Sequence, residues 1–135
     1  MRETSWFKLL GVFWSSFDNT GEHSDYLRSA IGDKRFIRPM MDALEARTLK
    51  SFPETITVYR GCGEHNIDGL SWSTERGVAE RFPTFNRYRV EKSVLVTATV
   101  AFSEIVAFKQ DRSENEVITL KPNILRVQPI TGIHK

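Results

Sequence analysis

The sequence predicts an α+β domain, with a helical N-terminal lead-in over residues 1–52 and a mostly antiparallel β-sheet core over residues 53–135. In the first part apolar residues recur every three or four positions, as on one face of an amphipathic helix. In the second part they alternate with polar residues, as in a half-buried strand. Only one helical segment interrupts the strands, which favours antiparallel pairing over the regular alternation of a doubly wound fold.

Three helices are expected in the lead-in. The first carries an apolar stripe over residues 6–17, and the second runs from a serine N-cap to a glycine over residues 24–32. The third has its apolar stripe over residues 36–48, with Pro39 in its first turn and Glu45 on the opposite, charged face. Such stripes are typical of core packing, so they predict structure and no activity.

The second part of the chain contains β-prone stretches bounded by turn residues. A helix is expected between the second and third of them, where Thr74 can act as its N-cap and Pro83 ends it. Trp72 should point to the sheet face opposite its serine neighbours, because side chains alternate along a strand. The five or six predicted strands lie at 55–59, 70–73, 93–101, 104–108, 116–120 and 125–130.

Composition suits one folded domain spanning residues 1–135, with 40% hydrophobic and 27% charged residues. The single Cys62 excludes an internal disulfide and suits a reducing compartment, so we expect a cytoplasmic protein, or one delivered into the cytoplasm of a target cell. The apolar run at 9–14 is too short to span a bilayer, and no membrane partner is predicted. The net charge of +2 does not by itself indicate nucleic acid, although a basic, aromatic stretch at 81–92 leaves that partner possible.

Several familiar sites are not completed by this sequence. Gly61 and Gly63 lack the third glycine and the helix of a dinucleotide-binding turn. Cys62 and His65 have no further ligands at metal-binding spacing, and Asp111 begins no calcium loop. We therefore predict no metal.

An acidic pair stands at the mouth of a late predicted strand. Glu114 and Glu116 should point the same way about 7 Å apart, because side chains alternate and each residue advances a strand by about 3.3 Å. Alone, such a pair is typical of a solvated strand. It gains significance because Arg60 ends the first predicted strand and Ser71 opens the serine stretch of the second.

In this order the three segments resemble the mono-ADP-ribosyltransferases of the arginine–serine–glutamate class, a group of NAD-using toxins and modifying enzymes. The resemblance covers residues 55–130 and departs from the usual Ser-Thr-Ser text, so that either Ser71 or Ser73 is the motif serine. The matching segments are Val58-Tyr59-Arg60-Gly61, Gly69-Leu70-Ser71-Trp72-Ser73-Thr74 and Glu114-Asn115-Glu116-Val117-Ile118.

The resemblance implies a sheet core of the ADP-ribosyltransferase type and NAD as the substrate. Glu116 would stabilise the positive charge that develops at the ribose when nicotinamide departs, as carboxylates do in glycoside cleavage. Glu114 would orient or deprotonate the incoming nucleophile. Ser71, with Ser73 as the competing choice, would hydrogen-bond Glu116.

The remaining contacts with NAD would come from the first strand and from the loop after the helix. Arg60 would clamp the pyrophosphate, and Gly61 would let the backbone approach the nicotinamide amide. Phe82 or Phe85 would stack on the nicotinamide ring.

The expected activity is transfer of ADP-ribose to a macromolecular acceptor, and the two-glutamate form resembles members that modify arginine in proteins. The loop at 109–113 lacks the aromatic residue often used to hold a target, so the acceptor is not identified. Three alternatives stay open: NAD hydrolysis with water as acceptor, modification of nucleic acid at the same site, and a non-catalytic module that binds a partner.

Overall fold

The computed structural model describes residues 3–12, 24–63, 67, 69–81, 93–110 and 115–130. They form a mixed α/β fold of short helices and one antiparallel sheet. The helices are α1 (Glu3–Val12), α2 (Ser24–Ile31), α3 (Ala43–Lys50) and α4 (Arg76–Arg81), with 3₁₀ turns at Arg38–Met40 and Phe102–Glu104. The strands are β1 (Thr55–Gly63), β2 (Ser71–Ser73), β3 (Ser93–Ala101), β4 (Ile105–Lys109), β5 (Glu116–Thr119) and β6 (Asn123–Pro129).

The sheet has six strands in the order β4-β5-β2-β1-β3-β6. Every neighbouring pair is antiparallel, so the predicted pairing is confirmed. The longest pairing joins β1 to β3 over nine residues, from Thr55 opposite Ala101 to Gly63 opposite Ser93. Because this pairing continues to Gly63, β1 is longer than predicted and Arg60 lies within it instead of at its end.

Burial varies across the sheet. All described residues of β4 and β5 are buried on both faces, whereas β6 forms an edge whose residues are mostly exposed. In β3 the alternate residues Val94, Val96, Ala98 and Val100 are buried, as their spacing predicts. The lead-in adds apolar side chains from α1, α2 and α3 to the same core. Among the described strands, β1 to β5 therefore contribute to the buried core and β6 does not.

The third predicted helix is wrong in its extent. Phe36 has a φ of 49°, outside the right-handed helical region, and its amide donates to Ile105 O of β4. A new helix then starts after Asp42, whose side chain accepts from Glu45 N while Glu45 Oε1 accepts from Asp42 N. This restart changes the phase of the apolar stripe: Leu44 is 58% exposed and Glu45, expected on the exposed face, is buried.

The other helices lie where the sequence predicts them, but α4 begins at Arg76, so Thr74 is not its N-cap, and its expected end at Pro83 lies outside the described residues. The second is confirmed over Ser24–Ile31 and is followed by Gly32 at a φ of 58°, a left-handed position that glycine adopts without steric cost. The expected end of the first helix, at residues 18–21, lies outside the described residues. None of the helices in the described ranges is long and apolar enough to cross a lipid bilayer.

Candidate functional site

A row of mostly polar residues crosses the whole sheet on one face. Residues that are directly opposite in an antiparallel pair point to the same side, with Cβ atoms about 4.5–5.5 Å apart. The pairings run without interruption from β4 to β6 in the order Lys109, Glu116, Ser73, Tyr59, Thr97, Arg126. We call these six residues the polar row.

Burial changes along the polar row. Lys109, Glu116 and Ser73 are buried, with Glu116 only 8% exposed. Tyr59 and Thr97 are half-buried, and Arg126 on the edge strand is exposed. The end of the row formed by Lys109, Glu116 and Ser73 therefore lies where water is largely excluded and electrostatic interactions are strong.

Ser73 is the serine that faces Glu116. The two residues are partners across β2 and β5, whereas Ser71 is opposite Ile118. Ser71 is two residues from Ser73, a displacement of about 7 Å along the strand. Ser73 Oγ also accepts a hydrogen bond from Glu75 N at 3.0 Å, which fixes the side chain at the turn into α4. Of the two serines left open by the sequence, Ser73 is the one beside the acid.

The strand that carries Glu116 begins at that residue. Asn115 immediately before it has a φ of 49°, so the backbone is not extended there. Asn115 O accepts from Thr74 N at 3.1 Å, and this bond ties the start of β5 to the end of β2. Strand alternation therefore begins at Glu116, and the common direction of Glu114 and Glu116 stays a prediction. Glu114 itself lies outside the described residues.

Arg60 lies on the opposite face of the sheet from the polar row. Its strand neighbour Tyr59 belongs to the row, and successive side chains alternate. Arg60 Nη1 donates to Ser71 O at 2.8 Å, so the guanidinium reaches the backbone of β2. Gly69 lies against the same guanidinium, and a Cβ at Gly69 would overlap it. Arg60 is thus packed against the segment that leads into the serine strand.

Trp72 and Gly61 lie on the faces of the sheet that strand alternation gives them. Trp72 is 1% exposed, on the face opposite Ser71 and Ser73 as predicted, and its Nε1 donates to Gly69 O at 3.0 Å. Gly61 is opposite Leu95 and lies on the face of the polar row, two residues from Tyr59. The structure therefore brings Gly61, Ser71, Ser73 and Glu116 to one face.

Other predicted site residues lie outside the part of the chain that is described, namely Phe82 and Phe85 with most of the basic stretch at 81–92.

Among the described residues, no group of three or more His, Cys, Asp or Glu side chains is placed to hold a metal ion. Cys62 is buried and, as the single cysteine of the sequence, forms no internal disulfide.

Sequence reasoning missed two buried charged residues next to the site. Lys109 Nζ donates to Glu45 Oε1 at 3.1 Å, and both side chains are less than 10% exposed. The spacing Asp42-x-x-Glu45 is that of a capping box and was a readable signal for the helix start. No local pattern marks Lys109, because its partner is 64 residues away in the sequence.

Comparison with known proteins adds no relative from which a role can be transferred. No protein-family model matches this chain, and no curated protein or solved structure matches it either. The case for a function therefore rests on the motif residues and on where the fold puts them.

Proposed function

We propose that the protein is a mono-ADP-ribosyltransferase that cleaves NAD at the nicotinamide–ribose bond and transfers ADP-ribose to a macromolecule, with an arginine side chain of a protein as the expected acceptor. One observation carries the proposal. The three motif segments, far apart in sequence, lie on three neighbouring strands in the order β5-β2-β1. On them Glu116 and Ser73 are direct partners and Tyr59 is next to Ser73, whereas Arg60 lies on the other face of the sheet.

Cleavage of the nicotinamide–ribose bond is favoured by a carboxylate next to the anomeric carbon. When the bond between nicotinamide and ribose breaks, its electron pair leaves with nicotinamide and the anomeric carbon becomes positively charged. A carboxylate in a largely dry site stabilises that charge more strongly than one in water. Glu116, buried at one end of the polar row, has this character.

Ser73 is the residue we assign to hold Glu116 in place. A hydroxyl both donates and accepts, so the bond that Ser73 Oγ accepts from Glu75 N is compatible with donation from Ser73 to a Glu116 oxygen. The role of Ser71 would then be structural: its backbone carbonyl accepts the hydrogen bond from Arg60. The proposal therefore takes Ser73 as the motif serine.

The acceptor completes the reaction. Its nucleophilic nitrogen forms the new bond to the anomeric carbon, and its proton passes to a base, for which Glu114 remains the predicted residue. The contact of Arg60 with the pyrophosphate and the stacking of Phe82 or Phe85 on nicotinamide likewise remain predictions. Gly61, on the face of the polar row, suits a close approach of backbone to the nicotinamide amide.

The deciding experiment measures nicotinamide release from NAD by the folded protein in the presence of a cell extract. Glu116→Gln keeps the shape of the side chain and removes its charge, so release should fall by about 100-fold or more. Glu104→Gln is the matched control, because Glu104 is a partly buried acid outside the polar row. Equal release by wild type and Glu116→Gln, or no release by wild type, would refute the proposal.

The product identifies the acceptor and separates the alternatives. With NAD labelled in the adenylate half, label on protein supports the transferase, and free labelled ADP-ribose indicates NAD hydrolysis. Label that survives protease but not nuclease indicates nucleic acid. If no product forms, the remaining alternative is a non-catalytic module that binds a partner. It is tested by titrating the protein with NAD and following tryptophan fluorescence, and absence of NAD binding at millimolar concentration would favour it.

A further inference from the structure

We infer that Glu45, a lead-in residue outside the motif segments, is a positioning residue that sets the place of Glu116 through the connection between β4 and β5. Its effect on catalysis rests on the proposed function, whereas its effect on Gln110 and Asn115, the described ends of this connection, does not. The contacts run in two branches from the Glu45 carboxylate, one through Lys109 and one through Gln110.

The Glu45 carboxylate is buried and collects three donors. Oε1 accepts from Asp42 N at 2.9 Å and from Lys109 Nζ at 3.1 Å, and Oε2 accepts from Gln110 N at 2.8 Å. Burying a charge is costly unless it is paired and hydrogen-bonded, so this set of donors defines one position for the carboxylate. The start of α3 and the end of β4 are thereby joined at a single group.

The first branch brings a positive charge beside Glu116. Lys109 is the partner of Glu116 across β4 and β5, on the same face of the sheet. Its Nζ is held by Glu45 Oε1 and by Met40 O at 2.8 Å. Glu45 therefore neutralises an ammonium group that would otherwise have Glu116 as its neighbouring acid in the polar row. Loss of Glu45 would free Lys109 to pair with Glu116 and occupy the carboxylate needed for catalysis.

The second branch reaches the residue before Glu116. Gln110, held by Glu45 through its backbone amide, donates from Nε2 to Asn115 Oδ1 at 3.2 Å. This bond joins the residue that follows β4 to the residue that precedes β5. Asn115 has a φ of 49°, and its carbonyl accepts from Thr74 N at the end of β2. The contacts thus extend from α3 to both strands that carry the Ser73–Glu116 pair.

A matched control exists at the other end of β4. Arg35 Nε and Glu104 Oε1 form an ion pair at 3.0 Å, and it also joins the lead-in to the sheet, but Glu104 makes no contact with Gln110 or Asn115 in the described residues. Glu104→Gln should weaken the attachment of the lead-in to the sheet without disturbing the start of β5. Gln110→Ala is a second test variant, since it removes the bond to Asn115 while the Glu45–Lys109 pair is kept.

The first measurement is amide hydrogen exchange, which needs no activity. In Glu45→Gln and in Gln110→Ala the Thr74 amide should exchange at least about 10-fold faster relative to the amides shared by β1 and β3. In Glu104→Gln that ratio should stay as in wild type. The inference is overturned if the ratio is unchanged in both test variants, or if Glu104→Gln raises it equally.

The second measurement is the steady-state rate of nicotinamide release. Both test variants should lower kcat by about 10-fold to 100-fold with KM for NAD nearly unchanged, because the reacting carboxylate is misplaced while the rest of the NAD site is kept. An unchanged kcat in a test variant with altered exchange would overturn the catalytic part. If wild type releases no nicotinamide, the proposed function fails and the exchange ratio alone decides the positioning role.

Discussion

Ser73 and Glu116 are direct partners across β2 and β5, and both are buried. They are 43 positions apart in the sequence, yet the sheet holds their Cβ atoms about 4.5–5.5 Å apart. The relationship makes Ser73, and not Ser71, the hydroxyl placed to orient the carboxylate.

The two serines can be separated by substitution. Ser73→Ala should lower kcat for nicotinamide release by about 10-fold or more, because a hydrogen bond to a charged group contributes about 1.5–3 kcal/mol. Ser71→Ala is the matched control, since its partner on β5 is Ile118 and the bond from Arg60 goes to its backbone oxygen. Steady-state kinetics on both variants, with circular dichroism to check folding, decides the assignment. A larger loss in Ser71→Ala would reverse it.

Gly69 should be required for the position of Arg60. A Cβ at this position would overlap the Arg60 guanidinium, so Gly69→Ala must displace the guanidinium from Ser71 O. If Arg60 clamps the pyrophosphate, KM for NAD should rise by about 10-fold. Arg60→Lys should have a similar effect, because an ammonium cannot make the bidentate contact.

The Gly69 substitution also separates binding from folding. Thermal unfolding of Gly69→Ala and Arg60→Lys, measured with and without NAD, shows whether ligand still stabilises each variant. Equal stabilisation of wild type and both variants would contradict a role for Arg60 in NAD binding.

The Glu45–Lys109 pair should behave as a coupled unit. Its side chains are less than 10% exposed, so removing either charge breaks a buried ion pair. Glu45→Gln and Lys109→Met should each cost about 3–5 kcal/mol in the free energy of unfolding. The double variant should lose much less than the sum, because no unpaired charge remains. Urea denaturation of the four proteins gives the cycle, and additive losses would contradict the coupling.

The backbone at Asn115 offers a test of the turn that precedes Glu116. Asn115 has a φ of 49°, which glycine adopts without steric cost, so Asn115→Gly should be tolerated. Asn115→Val should lower the free energy of unfolding by about 2 kcal/mol, because a β-branched side chain is unfavourable at this φ. Asn115→Gly also loses the bond from Gln110 Nε2, so its kcat should fall while its stability is kept. Thermal unfolding and nicotinamide release measured together check both expectations, and equal stability of the two variants would contradict the first.

Much of the fold follows from local patterns. The alternation in β3, the glycine after α2 and the break in pattern between the lead-in and β1 are all properties of neighbouring residues, so they could be predicted. The third helix could not be predicted in full. Its restart at Asp42 depends on a capping box. Glu45 can be buried because it forms an ion pair with Lys109 of β4.

The sequence by itself determined the segments on which the proposed function is based: an arginine, a serine pair and an acid, in a fixed order on β-prone stretches. Only the tertiary structure decided that Ser73 faces Glu116, that Arg60 lies on the other face, and that Lys109 flanks the acid. The physical reason is register. A shift of one residue moves a side chain to the other face of a sheet, and register is set by pairing between distant strands and by turns such as that at Asn115.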